Sequence, residues 1–456
     1  MNRTTLTALR RWSATRAVAL TATIVSLVAA GCSDDPAAPT QTNEVAKFNA
    51  EVPIAWVQLQ LVLTAKTPGW TPPVTSRAYG YIGVAGYEAV VPGMPDAKSL
   101  VGQLNGLTSL PAVESGKSYH WNVVANAALA RITKLLWGNA TAEYIAKIDS
   151  LENVYQTRFT SETDAETLQR SIDRGRAVAD AVFEWSKTDG GHEGYSKNFP
   201  TTYTPPTGDG FWVPTAAGQL ALQPYWGQNR PFVLPAGGDP NVGIDPGAPP
   251  AWSTTPGTPM YQDAHEVYTT WQTLDASQKA TADYWADGGE TCTPPGHSMS
   301  ILCQCWAQMG SKLDFTLRAY ALMGIGQADA FIACWASKYK YNLMRPITYI
   351  KTYIDTAFVS YIGTPPFPEY TSGHSTQSGA MSVIMSSLFG DSFSFSDNTH
   401  AARGYTTRSY TSFEQCAQEA AVSRLYGGIH FRTANERGVT VGKKVGQKVL
   451  TLDVTK

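Results

Sequence analysis

This sequence has no excess of basic residues: 35 Lys and Arg stand against 37 Asp and Glu, for a formal net charge of -2. That argues against a nucleic-acid footprint, which needs a basic face. Past residue 32 no set of apolar runs is long enough to suggest a bundle of membrane-spanning helices. Cysteines are few, six in 456 residues. Cys303-Gln304-Cys305 is not a C-x-x-C pair, and no second Cys or His pair sits at zinc spacing, so no zinc site is expected. Strand signals are sparse, and there is neither a fixed-period repeat nor a coiled-coil heptad. What is present is material for a large core. Hydrophobic residues make up 43% and aromatics 11%, with 13 Trp and 22 Tyr, which argues against disorder over most of the length.

The first residues read as an export signal. Arg3, Arg10, Arg11 and Arg16 precede an apolar run at 17–30 that is short for a membrane span, and small residues follow it. Ala29-Ala30-Gly31-Cys32 is similar to a bacterial lipobox, although Leu is more typical than Ala29. The expectation is a lipoprotein-type signal peptide at 1–31, with Cys32 acylated and membrane contact only through that lipid. The polar, Pro-containing stretch at 32–46 would be a tether. Cleavage without lipidation, or an uncleaved anchor, are the alternatives. Outside the cytoplasm disulfides are allowed. The five other cysteines (292, 303, 305, 334 and 416) are an odd number, so at least one thiol is left over.

Length alone allows two or three domains or one large one. Helical spacing of apolar residues predicts helices over 47–66, 74–91, 118–136, 141–160 and 162–187. Small residues between 78 and 86 suggest close helix packing, and Thr163 to Glu166 is capping-box-like. Residues 188–262 are rich in Gly, Pro, Thr and Trp and read as a long irregular segment that packs onto the domain. Helical patterns return over 263–286, 297–323, 325–342, 374–390, 412–427 and 433–450. The expected fold is all-α: a single domain over 47–456 built of antiparallel helices, with its chemistry in 263–450.

Three segments carry that chemistry. Lys338 and Arg345 are seven residues apart, two helical turns, and Pro346 is read as ending their helix. Arg offers a planar fork for two oxygens and Lys a compact charge. Ser372-Gly373-His374 follows a Pro-rich loop and opens a helical stretch, so backbone N–H groups and the positive end of a helix dipole meet there. Ser423-Arg424 and His430 add a second Arg and a second His, with Gly427-Gly428 able to bend the chain between them. Each segment alone has an ordinary explanation: a solvated helix face, a turn and cap, a satisfied buried histidine. What sets them apart is that all three occur together and in this order.

The joint pattern, K-x6-R-P then S-G-H then S-R-x5-H over about residues 335–437, resembles the signature of the vanadium-dependent haloperoxidase and type 2 phosphatidic acid phosphatase superfamily. The resemblance implies helical bundles and a vanadate cofactor. Lys338, Arg345 and Arg424 would hold equatorial oxygens, completed by Ser372 and the Gly373 N–H. His430 would bond the vanadium, and His374 would be the acid–base group. Hydrogen peroxide, a halide and a small organic substrate would be the partners, and a homodimer is expected on the resemblance alone. The alternative is an exported acid phosphatase working through a phosphohistidine.

Several residues bear on that choice. Trp335 and Phe367 stand where chloride-oxidising members place aromatics near the halide, an apolar wall that would partly dehydrate it; the ordinary reading is core filling. Many members carry Asp four residues after the second His, and here that position is Ala434; Asn435 or Glu436 are the substitutes considered. Asp287 is the candidate to pair with His374 and raise its pKa, or is an ordinary helix-end Asp. His297 is a weaker candidate behind it, while His120, His192, His265 and His400 are assigned to core or surface. Arg432 and Arg437 are read as solvated charges.

Overall fold

Apolar stripes at helical spacing and a near absence of strand signal give a helical molecule. The computed structural model describes residues 42–455, and these pack as one compact unit. The signal-peptide, Cys32 and residue 32–41 expectations lie outside the described residues. The first five helices are α1 (Glu51–Lys66), α2 (Pro72–Val90), α3 (Trp121–Leu136), α4 (Ala142–Phe159) and α5 (Ala165–Ser186). After the irregular segment come α6 (Pro259–Gln272), α7 (Ala276–Tyr284), α8 (Thr293–Met309) and α9 (Leu313–Tyr341). The chain closes with α10 (Pro346–Tyr353), α11 (Gly373–Phe389), α12 (Phe413–Tyr426) and α13 (Arg432–Val449). One two-stranded antiparallel ribbon, β1 (Phe395–Asp397) with β2 (Arg408–Tyr410), joins α11 to α12. No described helix is long and apolar enough to cross a membrane.

Several expected boundaries move, each for a local reason. The helix expected over 263–286 is broken after Gln272, because Asp275 caps a new helix: its side chain accepts from the Gln278 N–H and the Gln278 side chain accepts from the Asp275 N–H. The break expected near residue 324 lies instead at Gly310, which takes the left-handed conformation that ends α8, so that α9 runs unbroken to Tyr341. Asp164 caps α5 alone through the Thr167 N–H, without a box. Pro346 does not end the Lys338 helix. That helix stops at Tyr341 with Asn342 left-handed, and Pro346 is the first residue of α10. Arg345 is therefore the N-cap residue of the next helix, and not two turns along the same one.

Close helix packing positions the site. The small residues of α2 lie against α9: a Cβ on Gly83 would meet the Tyr320 carbonyl at 2.7 Å, and one on Gly324 would meet the Tyr79 carbonyl at 2.2 Å. On α13, Gly438, Gly442 and Gly446 fall four apart and form one stripe against α11. A Cβ on Gly442 would sit 1.9 Å from the Thr376 carbonyl, and one on Gly438 would sit 3.0 Å from the Ser372 carbonyl. This stripe seats the first turn of α11 against α13. Residues 188–258 carry no α-helix or strand, as expected, yet Trp212, Trp226, Phe232 and Leu234 are buried. All five described cysteines are buried free thiols.

Candidate functional site

Lys338, Arg345, Ser372 and Arg424 are buried with almost no solvent contact. Three cations packed so deeply need acceptors. Lys338, in the last turn of α9, donates from Nζ to the carbonyls of Pro368 (3.0 Å) and Glu369 (2.9 Å), which leaves one of its three N–H donors. Phe367 lies over both neighbouring cations, with its centroid 4.9 Å from Lys338 Nζ and 4.8 Å from the Arg345 guanidinium carbon. Burial pulls Lys338 down to about 7 and Arg345 down to about 10. Arg345 donates from Nε to the Phe367 carbonyl (2.8 Å) and from Nη1 to the Ile429 carbonyl (2.8 Å), while its buried Nη2 has no partner. Arg424 donates to Ser423 Oγ (3.0 Å) and the Ala282 carbonyl (3.2 Å). Most acceptors here are neutral carbonyls, which fix these cations without cancelling their charge.

Ser372 is the N-cap residue of α11, and Gly373 and His374 open the helix, so unpaired N–H groups converge with the three cations. His430 lies just before α13, past the Gly427-Gly428 bend. Arg345 Nη1 is 3.2 Å from His430 Nε2, and an arginine can only donate. Nε2 therefore accepts, and Nδ1 carries the proton, which it donates to Glu369 Oε1 at 2.8 Å. The Phe431 N–H also donates to Glu369 Oε1, at 2.9 Å. Burial, then Arg345 and Lys338, hold His430 well below the usual imidazole value, so its Nε2 is unprotonated and faces the Arg345 guanidinium.

Glu369 thus fills the role left open at Ala434. Asn435 instead accepts from Ser375, and Glu436 is an exposed neighbour of Arg432. Burial lifts the Glu369 carboxyl to about 8, and Oε2, which has no partner, can hold that proton while Oε1 still accepts. The sequence cue was an acidic residue three positions before Ser372, the one charge in the stretch 356–372.

Asp287 does not pair with His374 as expected. Its oxygens are taken by His297 Nδ1 (3.0 Å) and His400 Nε2 (2.8 Å), and His374 Nε2 stands 4.0 Å away. Burial and Arg424 outweigh Asp287, so the His374 pKa lies well below normal and is not raised. His297 bridges two carboxylates, reaching Asp397 through Nε2 at 2.7 Å, and stacks on Trp285. Burial disfavours its charge, but Asp287 and Asp397 overcome that and raise it to about 10; both carboxylates are held below their usual range. His400, assigned to core or surface, and Asp397, not singled out, belong to this network. Their partners lie about a hundred residues away, so no local pattern marks them. The same three side chains, Asp287, His297 and His400, could geometrically hold a metal ion, but their atoms already satisfy one another by hydrogen bonds.

Gly373, His374, Arg424, His430, Asp287, Trp335 and Phe367 all line one cavity of about 740 Å³. Trp335 and Phe367 pack with centroids 5.0 Å apart, beside Lys338. Arg432 pairs with Glu266, and Arg437 donates to the carbonyls of Pro246 and Ala248; neither lines the cavity. The donor set fits a tetrahedral or trigonal oxyanion. None of the three cations forms a salt bridge with a described carboxylate, Arg345 Nη2 and His374 Nε2 are buried without partners, and the unprotonated His430 Nε2 lies beside Arg345.

Comparison with known proteins agrees. A family profile described as the VCPO second helical-bundle domain matches residues 318–454. A bacterial vanadium-dependent iodoperoxidase of known structure shares 34% identity, with 90% of this chain and 98% of that chain covered and a TM-score of 0.81. The apo and holo forms of a bacterial vanadium-dependent chloroperoxidase share 18% and 17% identity at a TM-score of 0.63, with 84% and 83% of this chain and 93% and 92% of theirs covered; these show the fold. No curated protein matches the sequence.

Two measurements check the site. Glu369→Ala removes the acceptor that fixes the His430 tautomer and is expected to weaken vanadate binding by about 10- to 100-fold, with Glu369→Gln, which keeps an accepting oxygen, losing less. Unchanged vanadate affinity in the alanine variant would refute the role of Glu369. His297 is raised from 6.5 to about 10 on folding, so its stabilisation is complete below pH 6.5 and is lost as pH rises through about 10. Urea unfolding of His297→Gln should show a deficit of about 3–5 kcal/mol at pH 6 that shrinks toward pH 10; a pH-independent deficit contradicts the charged state.

Proposed function

The chain belongs to the vanadium-dependent haloperoxidases, peroxidases that use vanadate and hydrogen peroxide to oxidise halide, and from that premise we propose that it oxidises iodide to hypoiodous acid, which then halogenates organic acceptors. The iodide assignment rests on the 34% identity to an iodoperoxidase. The observation that carries the reading is the uncompensated cluster of Lys338, Arg345 and Arg424, with Arg345 Nη2 unpartnered, around the His430 lone pair.

In this reading Lys338, Arg345, Arg424, the Ser372 hydroxyl and the Gly373 N–H hold the oxygens of vanadate, and His430 Nε2 is the ligand to its metal. Bound vanadate supplies Lewis-acid activation of hydrogen peroxide. The chain supplies the rest. His374, neutral at Nε2, takes the proton that hydrogen peroxide gives up and returns it as water forms. The balance is halide, hydrogen peroxide and a proton giving hypohalous acid and water. Trp335 and Phe367 keep the neighbourhood of Lys338 dry, which strengthens its charge and strips water from the halide. His297 and His400 hold Asp287 beside His374, so Asp287 acts on it as a nearby charge and not as a hydrogen-bond partner. With Glu369 orienting His430, the missing Asp at 434 no longer argues against a phosphohistidine, and the phosphatase alternative is met by experiment.

Purified protein is assayed with and without vanadate, following triiodide formed from iodide and hydrogen peroxide, and separately hydrolysis of a chromogenic phosphate ester. Vanadate-dependent triiodide, lost in His430→Ala, is the expected result. Ester hydrolysis inhibited by vanadate, with no triiodide, makes the protein a phosphatase. Export with a lipid on Cys32 is proposed from the basic start, the apolar run and Gly31-Cys32. It predicts an acylated Cys32 as the first residue of the membrane fraction's protein by mass spectrometry, and a Met1 start would end that idea.

A further inference from the structure

In the haloperoxidase reading, halide and vanadate reach the cradle as anions, whereas hydrogen peroxide is neutral. All three enter a cavity of about 740 Å³ with Arg424 and His430 at its inner end. Besides its two histidines, the charged residues that line it are Lys66, Asp287, Glu290 and Arg424. Arg424 belongs to the cradle. Asp287 is buried, its oxygens are taken by His297 and His400, and the charge on His297 offsets its own. Lys66 and Glu290 differ from these. Both are exposed, and neither makes a salt bridge or a side-chain hydrogen bond among the described residues. Lys66 lies in the last turn of α1. Glu290 stands on the loop between α7 and α8 at φ 65°, a left-handed conformation uncommon outside glycine. That loop is held at both ends. Asp287 is fixed by its two histidines, and buried Thr291 donates to the Gly288 carbonyl from its N–H (3.2 Å) and its hydroxyl (2.8 Å). Glu290 is therefore kept at the rim.

We infer that Lys66 and Glu290 steer anions at the mouth of this cavity, Lys66 drawing halide and oxyanion toward Arg424 and Glu290 opposing them. Between rim and cradle the wall includes Trp70, Leu222, Phe331, Ile362 and Pro366. Apolar walls of low dielectric focus the field of nearby charges along a cleft. Opposite charges at the rim leave the entry of anions finely balanced, so a change in either one tips it. Hydrogen peroxide passes without regard to both. The halide arm of this inference rests on the haloperoxidase reading, while steering of an oxyanion does not depend on it. Anion entry becomes a property of two exposed residues that take no part in the chemistry.

Lys66→Glu and Glu290→Lys are compared with the wild type, singly and combined. Vanadate uptake by the vanadate-free protein is timed by rapid filtration. The vanadate-loaded protein is assayed for triiodide, giving kcat/KM for iodide and, at saturating iodide, for hydrogen peroxide. In dilute buffer Lys66→Glu should lower vanadate uptake and the iodide kcat/KM by about three- to tenfold, and Glu290→Lys should raise both by a similar factor. The double variant should return close to the wild type, which a folding defect in either single variant would not allow. The kcat and the kcat/KM for hydrogen peroxide should stay unchanged. The differences should vanish in sodium nitrate at about 1 M, where the Debye length is about 3 Å. Single variants that shift in the same direction overturn the inference, because that is the behaviour of a latch between the two side chains. Differences that persist in salt, or none in dilute buffer, also overturn it. A wild type that takes up vanadate with this charge pattern yet forms no triiodide upholds oxyanion steering and overturns the haloperoxidase reading instead.

Discussion

Three buried cations without a fixed counter-charge set the terms for the whole site. Lys338, Arg345 and Arg424 are removed from water and tied down mostly by neutral carbonyls, from Pro368, Glu369, Phe367, Ile429 and Ala282. Carbonyl dipoles orient a guanidinium or ammonium but leave its charge to act on something else. The one carboxylate in contact with the cradle, Glu369, is pushed up to about 8, so its negative charge is weakened where a full charge would neutralise the cluster. The arrangement is strained electrostatically on its own and is relieved by an oxyanion, which explains why so many donors converge on one helix N-terminus.

Holding that arrangement falls to packing. The glycine stripe of α13 lets its backbone approach α11 closely enough to fix the turn bearing Ser372, Gly373 and His374, and α2 meets α9 through glycines in the same way. The acid–base side is held differently, by a buried ionic chain from Asp397 through His297 to Asp287 and His400. A full positive charge on His297 between two carboxylates keeps Asp287 ionised without needing a proton from His374. His374 therefore stays neutral and lacks a partner at Nε2, the state a proton acceptor needs.

The sequence displayed whatever depended on local order. The oxyanion residues are legible because each lies in a short run with its own chemistry: the Arg-Pro junction, the Ser-Gly-His helix start, and the Gly-Gly bend before His430. The irregular 188–262 segment and the helical character elsewhere are legible from composition and spacing. What escaped was tertiary. Glu369 orients His430 across 61 residues and His400 meets Asp287 across 113, so no window contains either pair. The helix boundaries missed near 273 and 310 turned on single caps, where Asp275 and Gly310 outweigh a hydrophobic pattern that runs past them. Lys338 and Arg345 met as expected, but by a helix ending and restarting and not by helical periodicity.

The irregular segment shows how a stretch without secondary structure can still form a precise wall. Asp329, buried in α9, accepts from the N–H groups of Phe232, Val233 and Leu234, which pins that turn to the helix. Farther along the same helix, Trp335 Nε1 and the Tyr339 hydroxyl both donate to the Leu222 carbonyl, and the Leu222 N–H donates to the Pro366 carbonyl. One turn beyond Trp335 is Lys338. A single helix thus places the loop wall, the aromatic beside the charge and the charge itself, and Leu222 ties that helix to the loop carrying Phe367. The distance from the apolar wall to Lys338 is therefore set by the rigidity of α9, and a change that loosened residues 222–234 would reach the oxyanion site through these same hydrogen bonds.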